Sequence, residues 1–210
     1  MGILRNGIFG GFEKRTGSVV GRVYRGKNVL SAPPHPMIQA LTELQSRQRL
    51  SFTLVTQFLA TFVNLIRIGF GNNRKYFPMN LAMRYNFKQI VAGGYPDFSI
   101  RYEKVLFSKG SLCGPDSPAV VVEGDGLRFS WACPAQNSLN MYNDRACFLA
   151  YSPAEKCAAT AACATSRIDL NYHLVLPSAF AGDLLHCYMS FVAEKGKVVS
   201  DSVYLGTVQY

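Results

Sequence analysis

The stretch Leu127-Arg-Phe-Ser-Trp-Ala-Cys133 alternates large apolar residues with polar or small ones. Such alternation predicts a β-strand that buries one face, here the face with Leu127, Phe129, Trp131 and Cys133. A strand that buries one face and exposes the other is typical of an antiparallel sheet. We therefore expect antiparallel β-structure around this stretch, which contains the chain's only tryptophan.

Further β-prone runs surround this strand, between residue 97 and residue 210. Turn signals separate them at Gly124-Asp-Gly126, Ser152-Pro153 and Lys195-Gly-Lys197. The runs are Phe98–Tyr102, Ala146–Tyr151, Ile168–Leu176, Leu185–Ala193, Val198–Tyr204 and Leu205–Tyr210. Roughly seven short strands with turns between them, and a tryptophan on a central strand, predict an immunoglobulin-like or fibronectin-type antiparallel β-sandwich.

The first 34 residues are a different kind of segment, with seven glycines between short β-prone pieces. Within it, Tyr24-Arg-Gly-Lys-Asn28 predicts a tight hairpin turn between two strands. A segment this small and this rich in glycine cannot bury a core of its own. We therefore expect it to pair with the rest of the chain or with a neighbouring copy.

Two helices are expected between this segment and the β-rich half. After an extended proline-rich break at residues 32–36, apolar residues at steps of three and four predict a long helix from Met37 to Ile68. A shorter helix is expected from Met79 to about Val91. The predicted fold class is therefore α+β, with an N-terminal β-hairpin arm and basic helical region over residues 1–96 and an Ig-like β-sandwich over residues 97–210.

The most apolar window, residues 51–70, is interrupted by polar residues at helical spacing. These residues are Thr53, Gln57, Thr61, Asn64 and Arg67. A polar stripe of this kind predicts an amphipathic, mostly buried helix and not a membrane span. The opening residues also lack an uninterrupted apolar stretch and a cleavage site, so no signal peptide is expected.

The net charge of +9 is distributed unevenly along the chain. Residues 1–100 carry thirteen Lys and Arg and three acids, whereas residues 101–210 carry nine and ten. Such a basic half favours a negatively charged partner, namely nucleic acid, an acidic protein surface or an anionic membrane; a solvated basic face without a partner is the alternative. The predicted partner-binding residues are Arg5, Lys14, Arg15, Arg22, Tyr24, Arg25, Lys27, Arg74 and Lys75.

Basic residues alternate with aromatic ones in Arg22-Val-Tyr-Arg25 and in Arg74-Lys-Tyr-Phe77. This pattern is compatible with phosphate contacts and base stacking. An amphipathic surface whose aromatic rings face inward produces the same pattern. Expected partners are therefore other copies or other subunits of an assembly, with nucleic acid as a second possibility and no small-molecule substrate evident.

All six cysteines lie in the second half, without CxxC spacing and without a histidine at a zinc-finger interval. No metal site and no cofactor is therefore expected. The even count permits disulfides, but without an export signal the thiols are expected to be reduced. Cys133, Cys147 and Cys187 lie in strand-like apolar runs and are predicted to be small core residues.

No set of residues predicts an enzyme. A nucleophilic pair of Cys187 and His173 is geometrically conceivable, but no third orienting group accompanies it. The aspartates at positions 125, 144, 169 and 183 are expected mostly in turns or on solvent-exposed faces. Residues 21–28 approach a phosphate-binding loop, but Asn28 replaces the required hydroxyl residue and the following residues cannot start a helix.

The ends of the chain carry two motifs. The first includes Asn6-Gly-Ile8 and Gly17-Ser-Val-Val-Gly21, and the second includes Leu176-Pro177 and Ser200-Asp-Ser-Val-Tyr-Leu-Gly206. Together they resemble an uncharacterised family of Bacteroidota proteins of about this length, a domain of unknown function. The resemblance implies a bacterial or phage-borne cytoplasmic protein, and it implies no activity, cofactor or catalytic residue.

The preferred hypothesis is a non-enzymatic structural or assembly subunit of a repetitive particle that associates through its basic N-terminal half. A phage virion, a tail-like particle or a filament-like particle would fit, because Ig-like modules commonly serve display and adhesion. The alternative is a nucleic-acid-binding protein that uses the same basic half. The expected location is the bacterial cytoplasm or the virion.

Overall fold

The structure is a computed structural model that describes residues 3–4, 11–24, 26–34, 40, 42–72, 75–133, 135–136, 141–196 and 198–210. The chain forms two compact units, residues 1–42 and residues 43–210. The first unit contains the predicted β-hairpin arm and is called the arm below. The second unit is called the body. Each unit is described by itself.

The arm is an antiparallel four-stranded sheet with its strands in sequence order. Its strands are β1 (Ile3–Leu4), β2 (Phe12–Thr16), β3 (Val19–Tyr24) and β4 (Lys27–Ser31). The predicted hairpin is confirmed, because Tyr24 pairs with Lys27 at the end of the β3–β4 ladder. Gly26 in this turn has a φ of 73°, a left-handed conformation that glycine adopts without a steric cost.

The body begins with three helices, α1 (Glu43–Ala60), α2 (Val63–Gly69) and α3 (Pro78–Ile90). The single long helix predicted from Met37 to Ile68 is wrong in two respects, since the first helix begins at Glu43 and bends by 85° before the second. The shorter helix is confirmed, with Pro78 in its first turn, where a missing N–H costs no hydrogen bond.

The break between α1 and α2 lies at Thr61 and Phe62. The Thr61 hydroxyl donates to the Phe58 carbonyl at 2.7 Å, and the Thr61 and Phe62 amides bond to carbonyls three residues back. These bonds tighten the last turn of α1 and replace the regular pattern of the α-helix. The bend also buries the Phe62 ring, whose centroid lies 5.1 Å from that of Phe58. Ring burial therefore accounts for a break that apolar spacing alone did not predict.

A short hairpin and a seven-stranded sandwich follow the helices. The hairpin strands are β5 (Val91–Gly93) and β6 (Phe98–Ile100). The sandwich strands are β7 (Asp116–Glu123), β8 (Gly126–Ala132), β9 (Arg145–Ser152), β10 (Cys157–Ser166), β11 (Asn171–Val175), β12 (Leu184–Val192) and β13 (Val203–Gln209). One sheet has the order β10-β9-β12-β13 and the other β11-β8-β7.

This topology confirms the predicted antiparallel β-sandwich. In a constant-type immunoglobulin domain the fourth strand joins the sheet of the first, second and fifth strands. Here the fourth strand, β10, pairs instead with the third, β9. The sandwich of the body, β7–β13, therefore has the fibronectin-type arrangement of the predicted architecture.

Two hydrophobic cores lie on opposite faces of the four-stranded sheet. Between the two sheets lie the alternating residues expected from the sequence, including Leu127, Phe129 and Trp131 on β8. Cys187 is also buried in this core, whereas Cys133 follows the end of β8 and is only half-buried. The second core, which contains Cys147, joins the outer face of this sheet to the helices. The body thus has three layers, namely helices, a four-stranded sheet and a three-stranded sheet.

The helices therefore share a compact unit with the sandwich. The boundary between the two units of the chain falls after residue 42, whereas the sequence predicted a boundary after residue 96. The physical reason lies on the outer face of the four-stranded sheet. Leu149 and Tyr188 on this face are buried against helical residues such as Phe58. An apolar outer face requires a covering layer, and α1–α3 supply it.

No helix among the described residues is by itself long and apolar enough to cross a membrane; α1 and α2 reach that length and composition only as a bent pair.

Candidate functional site

The pairing of the arm strands places four of the predicted binding residues on one face of the sheet. Arg22 and Tyr24 alternate along β3, and Tyr24 lies directly opposite Lys27. Arg15 on β2 lies opposite Val20, which shares the face of Arg22 and Tyr24. Because directly paired residues point to the same side of a sheet, these residues form one surface. We call it the basic face, made of Arg15, Arg22, Tyr24 and Lys27.

The basic face presents its charges to solvent. Arg15, Arg22 and Lys27 are all exposed, and the Arg15 guanidinium donates to the Gly17 carbonyl at 3.1 Å. Residues 1–42 contain six Lys and Arg and one acid, Glu13. Three cations beside one tyrosine ring provide donors for anionic oxygens and an aromatic surface.

The opposite side of the sheet carries exposed apolar side chains. Val23 and Leu30 lie on this side and are 52% and 60% exposed. Lys14 pairs with Gly21 and so shares the same side. A Cβ at Gly21 would overlap the Phe12 carbonyl oxygen, so glycine is required where β2 approaches β3. We call this surface the apolar face, made of Lys14, Val23 and Leu30.

Not all predicted binding residues belong to these two faces. Arg5, Arg25 and Arg74 lie outside the described residues. Lys75 is an exposed residue of the body, and its Nζ lies 5.4 Å from the centroid of the Tyr76 ring. The structure thus brings together Arg22, Tyr24 and Lys27 within the β3–β4 hairpin and adds Arg15 from β2. Their role in binding stays a prediction.

The conceivable nucleophilic pair of Cys187 and His173 does not form. Cys187 is fully buried in the core between the sheets, and burial raises the pKa of its thiol to about 12. His173 lies exposed on β11, where its Nε2 is 2.9 Å from the Glu123 carbonyl oxygen. Cys187 lies in the core between the sheets whereas His173 is exposed to solvent, so these two side chains do not form a pair.

The most buried charges of the body form an ion pair that the sequence did not predict. Arg167 and Asp144 are 0% and 1% exposed, and the Arg167 guanidinium lies 3.2 Å from an Asp144 carboxylate oxygen. It also donates to the carbonyls of Gly114 and Cys113 and lies 3.7 Å from the centroid of the Phe191 ring. Burial lowers the pKa of Arg167, against the opposing charge of Asp144.

The expectation that Asp144 lies in a turn or on a solvent face is therefore wrong as to its exposure. Its carboxylate also accepts a hydrogen bond from the Met141 amide at 2.9 Å. The pair is almost fully buried and is hydrogen-bonded to the backbone at Met141, Cys113 and Gly114, as is typical of a structural ion pair. Charge alone carries no sign of burial, so the sequence did not indicate this pair.

A second unpredicted cluster joins His186 to tyrosines. The His186 ring stacks on Tyr102 with centroids 4.0 Å apart, and its Nδ1 lies 2.9 Å from the Tyr204 hydroxyl. Burial lowers the pKa of His186, while the charge of Glu103 opposes this change. The Tyr188 hydroxyl donates to the Tyr102 carbonyl at 2.7 Å, and burial raises the pKa of Tyr188. These groups connect the sheet to the segment after β6.

An open cavity of about 250 Å³ adjoins this cluster. Its lining includes Phe58, Tyr102 and Tyr151, together with Thr61 and Lys156. Burial raises the pKa of Tyr151 to about 12, so its hydroxyl stays protonated at neutral pH. The lining thus provides aromatic surface and neutral hydroxyls rather than a nucleophile with a base. In the part of the chain that the structure describes, no three His, Cys, Asp or Glu side chains are grouped to hold a metal ion.

Comparison with known proteins gives one match. A family model described as a family of unknown function, DUF6266, matches residues 11–206. No curated protein and no solved structure matches the chain. The match includes residues of the arm and of the body. It confirms that the chain resembles an uncharacterised family, a domain of unknown function.

Proposed function

Starting from the fact that the chain belongs to the DUF6266 family, which assigns no activity, we propose that this protein is a non-enzymatic assembly subunit. In this proposal, copies join through their arms. The supporting observation is that the four-stranded sheet of the arm buries little. Of residues 11–24, 26–34, 40 and 42, only Gly21 is buried. A sheet normally needs a packed face for stability, so the arm gains most from a surface that another molecule supplies.

The geometry of the arm suits strand addition. β4 is an edge strand, and four of its five residues are exposed. An exposed edge offers unpaired N–H and C=O groups to a strand of another molecule. On the apolar face, Val23 and Leu30 would be covered by the same neighbour. Backbone pairing and apolar burial would then act together.

The order of the arm strands also favours a repetitive particle. The two edges of the sheet are different strands, β1 and β4. When one edge of a subunit pairs with the other edge of the next, the contact is head-to-tail, and such contacts generate rings or filaments. A virion, a tail-like particle or a filament-like particle of bacterial or Bacteroidota-phage origin is the setting we propose. The location would be the cytoplasm or the assembled particle.

Light scattering coupled to size exclusion tests the assembly proposal. The full chain is expected to form oligomers whose mass rises with concentration, and the double variant Val23→Glu/Leu30→Glu is expected to shift toward monomer. Val121→Glu is the matched control, because Val121 on β7 is 55% exposed, much as Val23 is 52% exposed. A wild-type protein that stays monomeric at high concentration, or a control that dissociates equally, would remove the proposal.

The second candidate function is nucleic-acid binding through the basic face. The specific observation in its favour is that Arg15, Arg22 and Lys27 share a surface with the Tyr24 ring. Cations that neutralise phosphates release counterions, so such binding weakens steeply with salt. An aromatic ring beside them can stack on a base.

Filter binding of single-stranded DNA and RNA at low and moderate salt tests this candidate. We expect Arg22→Glu/Lys27→Glu to lose at least about tenfold in affinity at low salt, since two phosphate contacts are replaced by repulsion. Lys14→Glu on the apolar face serves as the control and should lose much less. The two double variants alter opposite faces of one sheet, so they are expected to affect the two candidate functions to different extents.

A further inference from the structure

Cys147 and Cys163 face each other across the β9–β10 pair. Their Sγ atoms are 4.0 Å apart, and the Cys163 amide donates to Cys147 Sγ at 3.2 Å. Cys147 is 1% exposed, whereas Cys163 is exposed to solvent. One thiol is therefore open to a reagent, and the second lies behind it within reach.

A β-bulge produces this arrangement. Ala161 pairs with Phe148 and Thr165 pairs with Ala146, so three residues of β10 lie opposite Cys147 alone. Cys163 is the middle one of the three and has a φ of 50°. A cysteine rarely adopts this left-handed conformation, which costs energy that a glycine would avoid. Bulges redirect side chains, and here the bulge directs Cys163 to its partner.

The local charges favour a reactive Cys163. The hydrogen bond with the Cys147 thiol and, to a smaller extent, the charge of Arg145 lower the pKa of Cys163 to about 7, against the effect of burial. The same hydrogen bond raises the pKa of Cys147. At neutral pH a substantial share of Cys163 is thus thiolate while Cys147 keeps its proton, and the thiolate is the nucleophile in cysteine oxidation.

We propose that Cys147 and Cys163 form a reversible dithiol–disulfide site, with Cys163 as the thiol that a hydroperoxide oxidises and Cys147 as the thiol that resolves it. The Cys163 thiolate attacks the peroxide, an S–O bond forms, the O–O bond breaks, and the leaving alkoxide or hydroxide takes up a proton. The product is the sulfenic acid of Cys163. Cys147 then attacks its sulfur, the S–S bond forms, and water leaves with the proton of Cys147. Two thiols lose two electrons in total, and the peroxide gains them.

The disulfide would fasten an edge strand. β10 is the outermost strand of its sheet and pairs with β9 alone. A bond between Cys147 and Cys163 would link the two strands at the bulge, where their regular pairing is interrupted. Oxidation is therefore expected to raise the midpoint of thermal unfolding by several degrees, since the closed loop restricts the unfolded chain. This site is independent of the arm and of the assembly proposed for it.

Peptide mass spectrometry of the oxidised full chain tests the proposal. The reduced protein is treated with one equivalent of hydrogen peroxide at pH 7, free thiols are blocked with N-ethylmaleimide, and the chain is digested with trypsin without reduction. We expect a linked pair of peptides, residues 146–156 with residues 157–167, that dithiothreitol separates. The second peptide also contains Cys157, so variants must identify the bonded sulfur.

Cys157→Ser is the matched control, because Cys157 is a second exposed cysteine of β10, and burial together with Glu155 and Asp183 raises its pKa. The linked pair should persist in Cys157→Ser and disappear in Cys163→Ser. In Cys147→Ser, dimedone should trap the sulfenic acid of Cys163. In the wild type, iodoacetamide should modify Cys163 at least about fivefold faster than Cys157, given their difference in thiolate content. A linked pair that needs Cys157, bonds only between chains, or equal alkylation rates would overturn the proposal.

Discussion

The arm and the body differ in how much of their β-sheets they bury. The body covers both faces of its central four-stranded sheet, one with a second sheet and one with helices. The arm also has a four-stranded sheet, yet among its residues 11–24, 26–34, 40 and 42 only Gly21 is buried. The body therefore buries both faces of its central sheet within one unit, whereas the arm leaves apolar and charged side chains exposed. The two units therefore differ in how much surface they leave open: little on the central sheet of the body, and more on the arm, whose contact with other molecules is the proposal made above.

The same difference separates the kinds of charge that each unit uses. In the body, Arg167 and Asp144 are withdrawn from water and fully bonded. In the arm, Arg15, Arg22 and Lys27 are left in water. Removal of one partner from a buried ion pair lowers the free energy of unfolding strongly. Replacement of an exposed cation changes it little. Substitutions of the same type in the arm and in the body test whether burial accounts for this difference.

The largest effect is expected from Arg167→Met. The variant leaves the Asp144 carboxylate buried without its cation and leaves the Cys113 and Gly114 carbonyls without their donor. We expect the free energy of unfolding to fall by about 3–5 kcal/mol. Urea denaturation followed by the fluorescence of Trp131, whose indole N–H donates to the Arg167 carbonyl, measures this directly.

Arg128→Met is the control for Arg167→Met. Arg128 also forms an ion pair, with Glu123 at 3.0 Å, but both side chains are about half exposed. A pair of this kind contributes about 0–1 kcal/mol, so the control should change little. Equal losses in the two variants would mean that burial of the Arg167 pair does not set its contribution.

A smaller effect is expected from the same substitution made in each unit. Leu149→Ala removes a fully buried side chain of the body and should cost about 2–5 kcal/mol through lost burial and a cavity. Leu30→Ala in the arm removes a side chain that is 60% exposed and should change the free energy of unfolding by less than about 0.5 kcal/mol. Circular dichroism during urea denaturation measures both.

Low protein concentration is essential in this pair of measurements, because association stabilises any chain whose partner binds the folded form. As the concentration is raised, Leu30→Ala should begin to differ from the wild type while the offset of Leu149→Ala stays constant. A Leu30→Ala variant that costs as much as Leu149→Ala at low concentration would show that the arm has a core of its own.

The sequence predicted most of the fold because the fold depends on local patterns. Alternation along Leu127–Cys133 identified a strand with one buried face, and Gly26 marked the hairpin of the arm. The break at Thr61 could not be predicted in this way, since it results from the burial of Phe62 among residues distant in sequence. Local spacing reports periodicity but not the direction in which a helix must turn to cover a sheet.

The candidate sites also differ in whether local residue spacing predicts them. The basic face follows from residue spacing within one hairpin, so Arg22, Tyr24 and Lys27 could be grouped from the sequence. The pairing of Cys147 with Cys163 could not, because it depends on a bulge that shifts the register of two strands. Sequence position likewise gave no sign that Arg167 meets Asp144, 23 residues away. Residues grouped within one hairpin can be predicted from the sequence, whereas contacts that depend on strand register or on distant segments cannot.

The smallest expected effect concerns the pH dependence of the body and the ring of His186. Burial keeps the pKa of His186 below its ordinary value of 6.5, although Glu103 opposes this. As the pH falls through 6.5 the unfolded chain takes up a proton on this histidine before the folded chain does, so stability declines below that pH and is unaffected above it. We expect the urea midpoint of the wild type to fall between pH 7 and pH 5.5, and that of His186→Gln to fall less. The slope is the quantity to compare, because the variant also loses the contact with Tyr204. A slope in His186→Gln as steep as that of the wild type would show that the acid sensitivity comes from other groups and not from His186.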